Sequence, residues 1–200
     1  MNSNLVVFVI LGIAFAAVGV HLVLYSKHRT EIIRRFAEAR GFVFTARADS
    51  TLVSQLEKAF DIEEAGCVRT FDQVRDVVSL PSGTIFRAVE LLDLNPHASA
   101  VNPHHPRAAV MFSTQPEWFG IFHVTSDLAV LQRYPLEERS AAEDVRRYIQ
   151  EAGMSPPPHP LSLTLMRGYG LAYLEPPVVG SVTDEHLKYL AELSAHLSSS

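Results

Sequence analysis

Residues 5–25 read LVVFVILGIAFAAVGVHLVLY. None of them is Asp, Glu, Lys or Arg, and at the rise of an α-helix they reach about 31 Å, close to the thickness of a bilayer's hydrocarbon core. A buried core helix can also be apolar all round, but a core seldom needs about twenty uncharged residues in succession at a chain terminus. The stretch reads as a membrane-spanning helix. Its leader, MNSN, lacks the positive charge of a secretory n-region, and Ala14, Ala16 and Ala17 lie in the middle of the run, where no cleavage site falls. The helix is therefore expected to stay attached. Lys27, Arg29, Arg34, Arg35 and Arg40 follow it within about 15 residues, whereas no Lys or Arg precedes it. By the positive-inside rule the N-terminus lies outside and the remainder in the cytoplasm of a bacterial inner membrane.

Four segments follow from composition and pattern: an anchor over 1–28, a helical stalk over 29–41, one α+β domain over 42–197, and a short disordered tail over 198–200. Without the anchor about 175 residues remain, enough for one domain with a substantial core. The formal net charge of −5 argues against a nucleic-acid binder, which needs a basic face to neutralise phosphates. Cys67 is the one cysteine, so a single chain can form neither a disulfide nor a thiolate metal cluster.

Within the stalk, Ile32, Ile33, Phe36 and Ala37 recur at helical spacing until Gly41 supplies a stop, with a break near Ser26 as the alternative to one continuous helix. Alternation over 42–47 predicts a strand, and Asp49 or Ser50 can cap a helix that carries Leu52, Val53, Leu56 and Phe60 on one face. Residues 67–80 fit either period, with strand preferred at the start. Pro81, Ser82 and Gly83 make a turn into a strand over 84–94. The proline-rich segment 95–107, NPHASAVNPHHPR, reads as an exposed loop. Strands over 108–114 and 118–124 are expected to pair as a hairpin through a turn containing Pro116. Ser140 opens a capping box for a helix that runs to Gly153; residues 161–174 form a hairpin around Gly168, Tyr169 and Gly170; and the last helix starts near Thr183. The sum is an α+β fold: one transmembrane helix, then a mixed, mainly antiparallel sheet packed with about three helices.

The basic amphipathic helix from Ile33 feeding GFVF, the capped helix, the sheet, the 161–174 hairpin and the closing helix together resemble uncharacterised bacterial membrane-anchored α+β proteins. The resemblance implies architecture and brings no activity, cofactor or site residue with it.

Candidate chemistry is sparse. His97, His104 and His105 share a loop and could ligate a metal, but adjacent imidazoles in an extended segment point apart and no Asp, Glu or Cys in the loop completes a site. Cys67 could act as a nucleophile only with a general base in reach, and its apolar neighbour Val68 points to a buried, inert thiol instead; the adjacent carboxylates Glu63 and Glu64 do not converge on one substrate. DEHLKY lacks the second histidine of a zinc-protease helix, and no phosphate loop, dinucleotide fingerprint or serine elbow is present. The expectation is no catalytic residue, no cofactor and no metal. Three other sets of residues invite function: Gly12, Ala16 and Gly19 for close packing against a partner helix, Lys27, Arg29, Arg34 and Arg35 for lipid headgroups, and Trp118 and Phe119 as anchors of a partner surface. These favour an accessory or scaffold subunit of a membrane complex over a tethered ligand sensor, and either over an enzyme using His104 or His123. Its partners would be the bilayer and a membrane protein reached through the transmembrane helix, with the oligomeric state left open.

Overall fold

A computed structural model describes residues 3–60, 68–93, 107–115, 118–134, 139–151, 153–175 and 181–198. The loop histidines His97, His104 and His105, together with Cys67, Glu63 and Glu64, lie outside the described residues. The elements run α1 (Ser3–Ala39), β1 (Val43–Arg47), α2 (Ser50–Phe60), β2 (Val68–Leu80), β3 (Gly83–Asp93), β4 (Arg107–Ser113), β5 (Gly120–Val124), β6 (Val130–Tyr134), α3 (Arg139–Glu151), β7 (Leu161–Met166), β8 (Tyr169–Leu174) and α4 (Asp184–Leu197). This is an α+β fold with a long apolar N-terminal helix that is a candidate membrane span.

The eight strands form one sheet in the order β1-β2-β3-β4-β8-β7-β5-β6, and each pairing is antiparallel. Alternation gives the sheet two apolar faces. One face carries Val78, Ile85, Val110, Phe112, Phe122 and Leu163, and α1, α4 and α3 cover it side by side over β1–β2, β3–β4–β8 and β6. The other face carries Phe71, Val77, Phe86, Met111 and Leu171, and α2 lies on it through Leu52, Leu56 and Phe60. Asp49 caps α2 by accepting a hydrogen bond from the Leu52 amide at 2.8 Å. Thr183 does the same for α4 through the His186 amide at 3.2 Å.

The expected hairpin between residues 108–114 and 118–124 does not form. β4 pairs with β3 and β8, β5 pairs with β7 and β6, and the β7–β8 hairpin lies between them. Three inter-strand spacings separate β4 from β5, about 14 Å, and the six residues of the connection can span about 20 Å, so a short loop reaches across without pairing its ends. Glycine chemistry favours the observed neighbour. A Cβ on Gly170 would stand 2.3 Å from the Phe112 ring, so only glycine lets that ring lie over β8. The β7–β8 hairpin itself turns at Arg167 and Gly168, both with positive φ (53° and 80°), as a two-residue turn matched to the strand twist requires. It turns slightly earlier than the Gly168–Gly170 position read from the sequence.

α1 is one helix through Ser26, without a break. It ends in a Schellman motif: the Phe42 amide donates to the Ala37 carbonyl at 2.9 Å and the Gly41 amide to the Glu38 carbonyl at 3.3 Å, with Gly41 at φ 69°. The accompanying apolar contact is Phe36 against Phe42, with ring centres 6.1 Å apart. Past the stop, Arg40 spans two 3.1 Å hydrogen bonds to the carboxylate of Asp184 in the first turn of α4. The far end of α4 is fastened as well, since the Ser198 hydroxyl donates to the Ser82 carbonyl at 2.8 Å.

Candidate functional site

α1 changes environment along its length. From Ile10 to Leu24 its side chains are exposed, with Phe15, Ile13 and Leu24 at 76%, 65% and 61%. From Arg29 onward one face is core: Ile33, Phe36 and Ala37 are at most 1% exposed against the sheet. Gly12 and Gly19 stand in the exposed half with open space around them, and Ala16 is exposed beside them. Nothing else in the described chain touches that small-residue stripe.

The basic residues that follow the apolar run divide into two groups. Lys27, Arg34 and Arg35 are exposed. Arg34 and Arg35 both reach back to Glu31, at 2.5 and 2.8 Å, and these hydrogen bonds, Arg35's foremost, lower the Glu31 carboxyl below its ordinary range. Arg29 is different: it is 7% exposed, with its guanidinium carbon 3.8 Å from the centre of the Tyr25 ring.

Arg29 joins a polar nest that sequence reading did not find. β3 alternates Ile85 and Arg87 toward α1, so Arg87 projects into the helix–sheet contact and is 0% exposed. Its Nη2 lies 2.5 Å from the Asp76 carboxylate and donates to the Thr30 hydroxyl at 3.3 Å and the Ser26 hydroxyl at 3.5 Å. The opposing strand is irregular here. Two bulges in β2 flank Arg75, which pairs with Arg87 across the ladder, and they place Gln73 and Asp76 at φ 52° and 53°. Left-handed backbone costs a non-glycine residue about 1–2 kcal/mol, so the strand carries strain where it delivers Asp76 to Arg87. Burial is the largest influence on Arg87 and pulls its pKa down; Asp76 opposes that, and the positive charges of Arg75 and Arg29 add to it. A guanidinium stays charged at neutral pH even so. Arg87 Nε and Nη1 and Arg75 Nε are buried with no hydrogen-bond partner among the described residues.

A sequence signal for half of this nest exists: Arg87 is the one cation of β3, on the same parity as the core residue Ile85. Asp76 gives none, because the bulges shift which residues of β2 face inward.

The aromatic pair splits. Trp118 packs edge-on against Tyr148 of α3, with ring centres 4.7 Å apart, on the three-helix side of the sheet, and Phe119 packs into the opposite core. Both are half-buried. His123 Nδ1 lies 3.9 Å from the Glu175 carboxylate. His186, the histidine of DEHLKY, is buried in the first turn of α4 with the His159 ring centre 5.0 Å away; burial first and that neighbour second pull its pKa down. Two open grooves flank α2, of about 270 Å³ between α2 and the β1–β2 edge (Thr45, Arg47, Asp49, Gln55) and about 320 Å³ by the β2–β3 turn (Ser82, Met111, Tyr169). Among the described residues no three His, Cys, Asp or Glu side chains are grouped to hold a metal ion.

No protein-family model and no curated protein matches the chain. Among solved structures it is similar to the crystal structure of the mycobacterial trehalose monomycolate transport factor A, TtfA, at 10% identity and a TM-score of 0.43, over 84% of this chain and 94% of that one.

Proposed function

We propose that this chain is a non-catalytic accessory or scaffold subunit of a larger bacterial membrane complex, anchored by α1 with the N-terminus outside and the α+β domain in the cytoplasm. The observation that carries the reading is the division of α1: its outer half exposes every described side chain from Ile10 to Leu24, while the same helix continues without a hinge into the domain core at Ile33, Phe36 and Ala37. A partner that grips the outer half therefore sets the position of the domain, because bending the unit would break the core contacts. Gly12, Ala16 and Gly19 allow a partner helix to approach closely, and the exposed Lys27, Arg34 and Arg35 suit the headgroups of the cytoplasmic leaflet.

Mild-detergent purification followed by mass spectrometry tests it. A companion membrane protein is expected, and Gly12→Leu with Ala16→Leu is expected to release it while leaving the domain folded. A clean monomer at every detergent strength overturns the reading. Activity of a reporter fused after Ser200 that works only in the periplasm overturns the orientation.

A further inference from the structure

We propose that the nest of Arg87, Arg75 and Arg29 is a binding site for the phosphate of an anionic lipid headgroup. This goes beyond the subunit reading and rests only on α1 spanning the bilayer.

Charge is the first ground. Arg87 and its cross-strand neighbour Arg75 bring two guanidiniums together, and Asp76 is ion-paired with Arg87, in a place where Arg87 has no exposure to water. Buried charge is tolerated when it is paired and hydrogen-bonded, and three guanidinium N–H positions, Arg87 Nε and Nη1 and Arg75 Nε, have no described acceptor. A phosphate matches such donors, since its oxygens accept the parallel N–H bonds of a guanidinium fork as a carboxylate's do, and the place of the nest selects between the two.

Position is the second. Arg87 is bonded to Ser26 and Thr30, and Arg29 stacks on Tyr25, the last residue of the apolar run. The nest therefore lies within about one helical turn, roughly 5 Å, of the level at which headgroup phosphates begin. Access comes through Arg75, which is half-buried while its cross-strand neighbour is sealed. Arg75 forms the rim and Arg87 the floor.

Strain is the third. Both left-handed residues of β2, Gln73 and Asp76, fall immediately around Arg75, and a regular strand would not place Arg75 and Asp76 together on the α1 side.

Thermal unfolding of the full chain in a neutral detergent, with added phosphatidylglycerol, phosphatidylcholine or inorganic phosphate, tests the assignment. Phosphatidylglycerol at a hundredfold excess over its dissociation constant is expected to raise the midpoint by about 5–10 °C. Phosphatidylcholine is expected to leave it in place. A rise with inorganic phosphate as well confirms the phosphate chemistry; a rise with inorganic phosphate alone overturns the lipid as its source; no rise with either overturns the site. Arg75→Gln is expected to abolish the rise. If Arg75→Gln keeps the rise and the triple variant Lys27→Gln, Arg34→Gln, Arg35→Gln loses it, attraction by the exposed flank is the cause and the nest is not the site. Should Arg75→Gln fail to fold, native mass spectrometry of the unaltered chain decides: equal retention of the two lipids from an equimolar mixture overturns the proposal, and preferential retention of phosphatidylglycerol supports it. Failure here leaves the subunit reading untouched, because that depends on a protein companion.

Discussion

The two halves of α1 both carry large apolar side chains, which meet opposite surroundings. Phe15 and Phe36 belong to one helix, yet Phe15 is 76% exposed and Phe36 1%. Hydrophobicity alone does not distinguish them. What does is the pattern around each: apolar residues surround Phe15 on all sides, as lipid demands, whereas Arg34, Arg35 and Glu38 leave Phe36 a single apolar stripe, as a protein core demands. A helix apolar enough to cross a membrane can thus continue into a protein core, and the junction between its two halves, at Tyr25 to Thr30, is where the buried polar nest sits.

Matched truncation gives the largest break in that comparison. Phe36→Ala is expected to cost about 3–5 kcal/mol through lost burial and a residual cavity. Phe15→Ala is expected to change domain stability by no more than about 0.5 kcal/mol, since it touches nothing in the domain. Denaturant unfolding in detergent, followed by the fluorescence of Trp118 packed on Tyr148, measures both. Equal costs would mean that the outer half also packs on the domain.

Gly41→Ala comes next. A Cβ there meets no atom within 4 Å, so the expected loss of about 1–2 kcal/mol is backbone strain at φ 69° alone. Gly12→Ala and Gly19→Ala, equally free of neighbours but without positive φ, are expected to leave domain unfolding unchanged and make the control.

The smallest effect is at the α1–α4 clasp. Arg40 is about one-third exposed and Asp184 about two-thirds, so solvent screens the pair. Arg40→Ala is expected to cost about 0.2–1 kcal/mol, and less in high salt. A larger, salt-independent loss would trace to the stacking of Arg40 on the Phe36 ring, 4.2 Å from its centre, and would tie the clasp to the core.

Local signals in the sequence were strong where neighbours in sequence do the work. Gly41 as a helix stop and Asp49 and Thr183 as caps act within a few residues and are found where their chemistry places them, and the Gly168 turn comes only slightly earlier than its sequence position suggests. The pairing of β4 is not legible locally, because a six-residue connection looks like a hairpin loop whether or not its strands are adjacent. Deciding between the two required β8 and its glycine under Phe112. The site was half legible for a related reason. Lys27, Arg34 and Arg35 are surface cations as their spacing suggests, whereas Arg29 and Arg87 come together only across 58 residues and two elements.

The sequence alone determined that the chain begins with a helix fit to cross a membrane, followed by a basic flank and an α+β domain, because hydrophobic run length and period are local properties of the chain. Tertiary structure decided that β7 and β8 enter between β4 and β5, and that Ser26 and Thr30, on one face of α1 just past the apolar run, meet the buried Arg87. Both depend on which surfaces meet: the first on a ring that fits only over glycine, the second on two bulges that turn a carboxylate inward to meet a cation delivered by another strand.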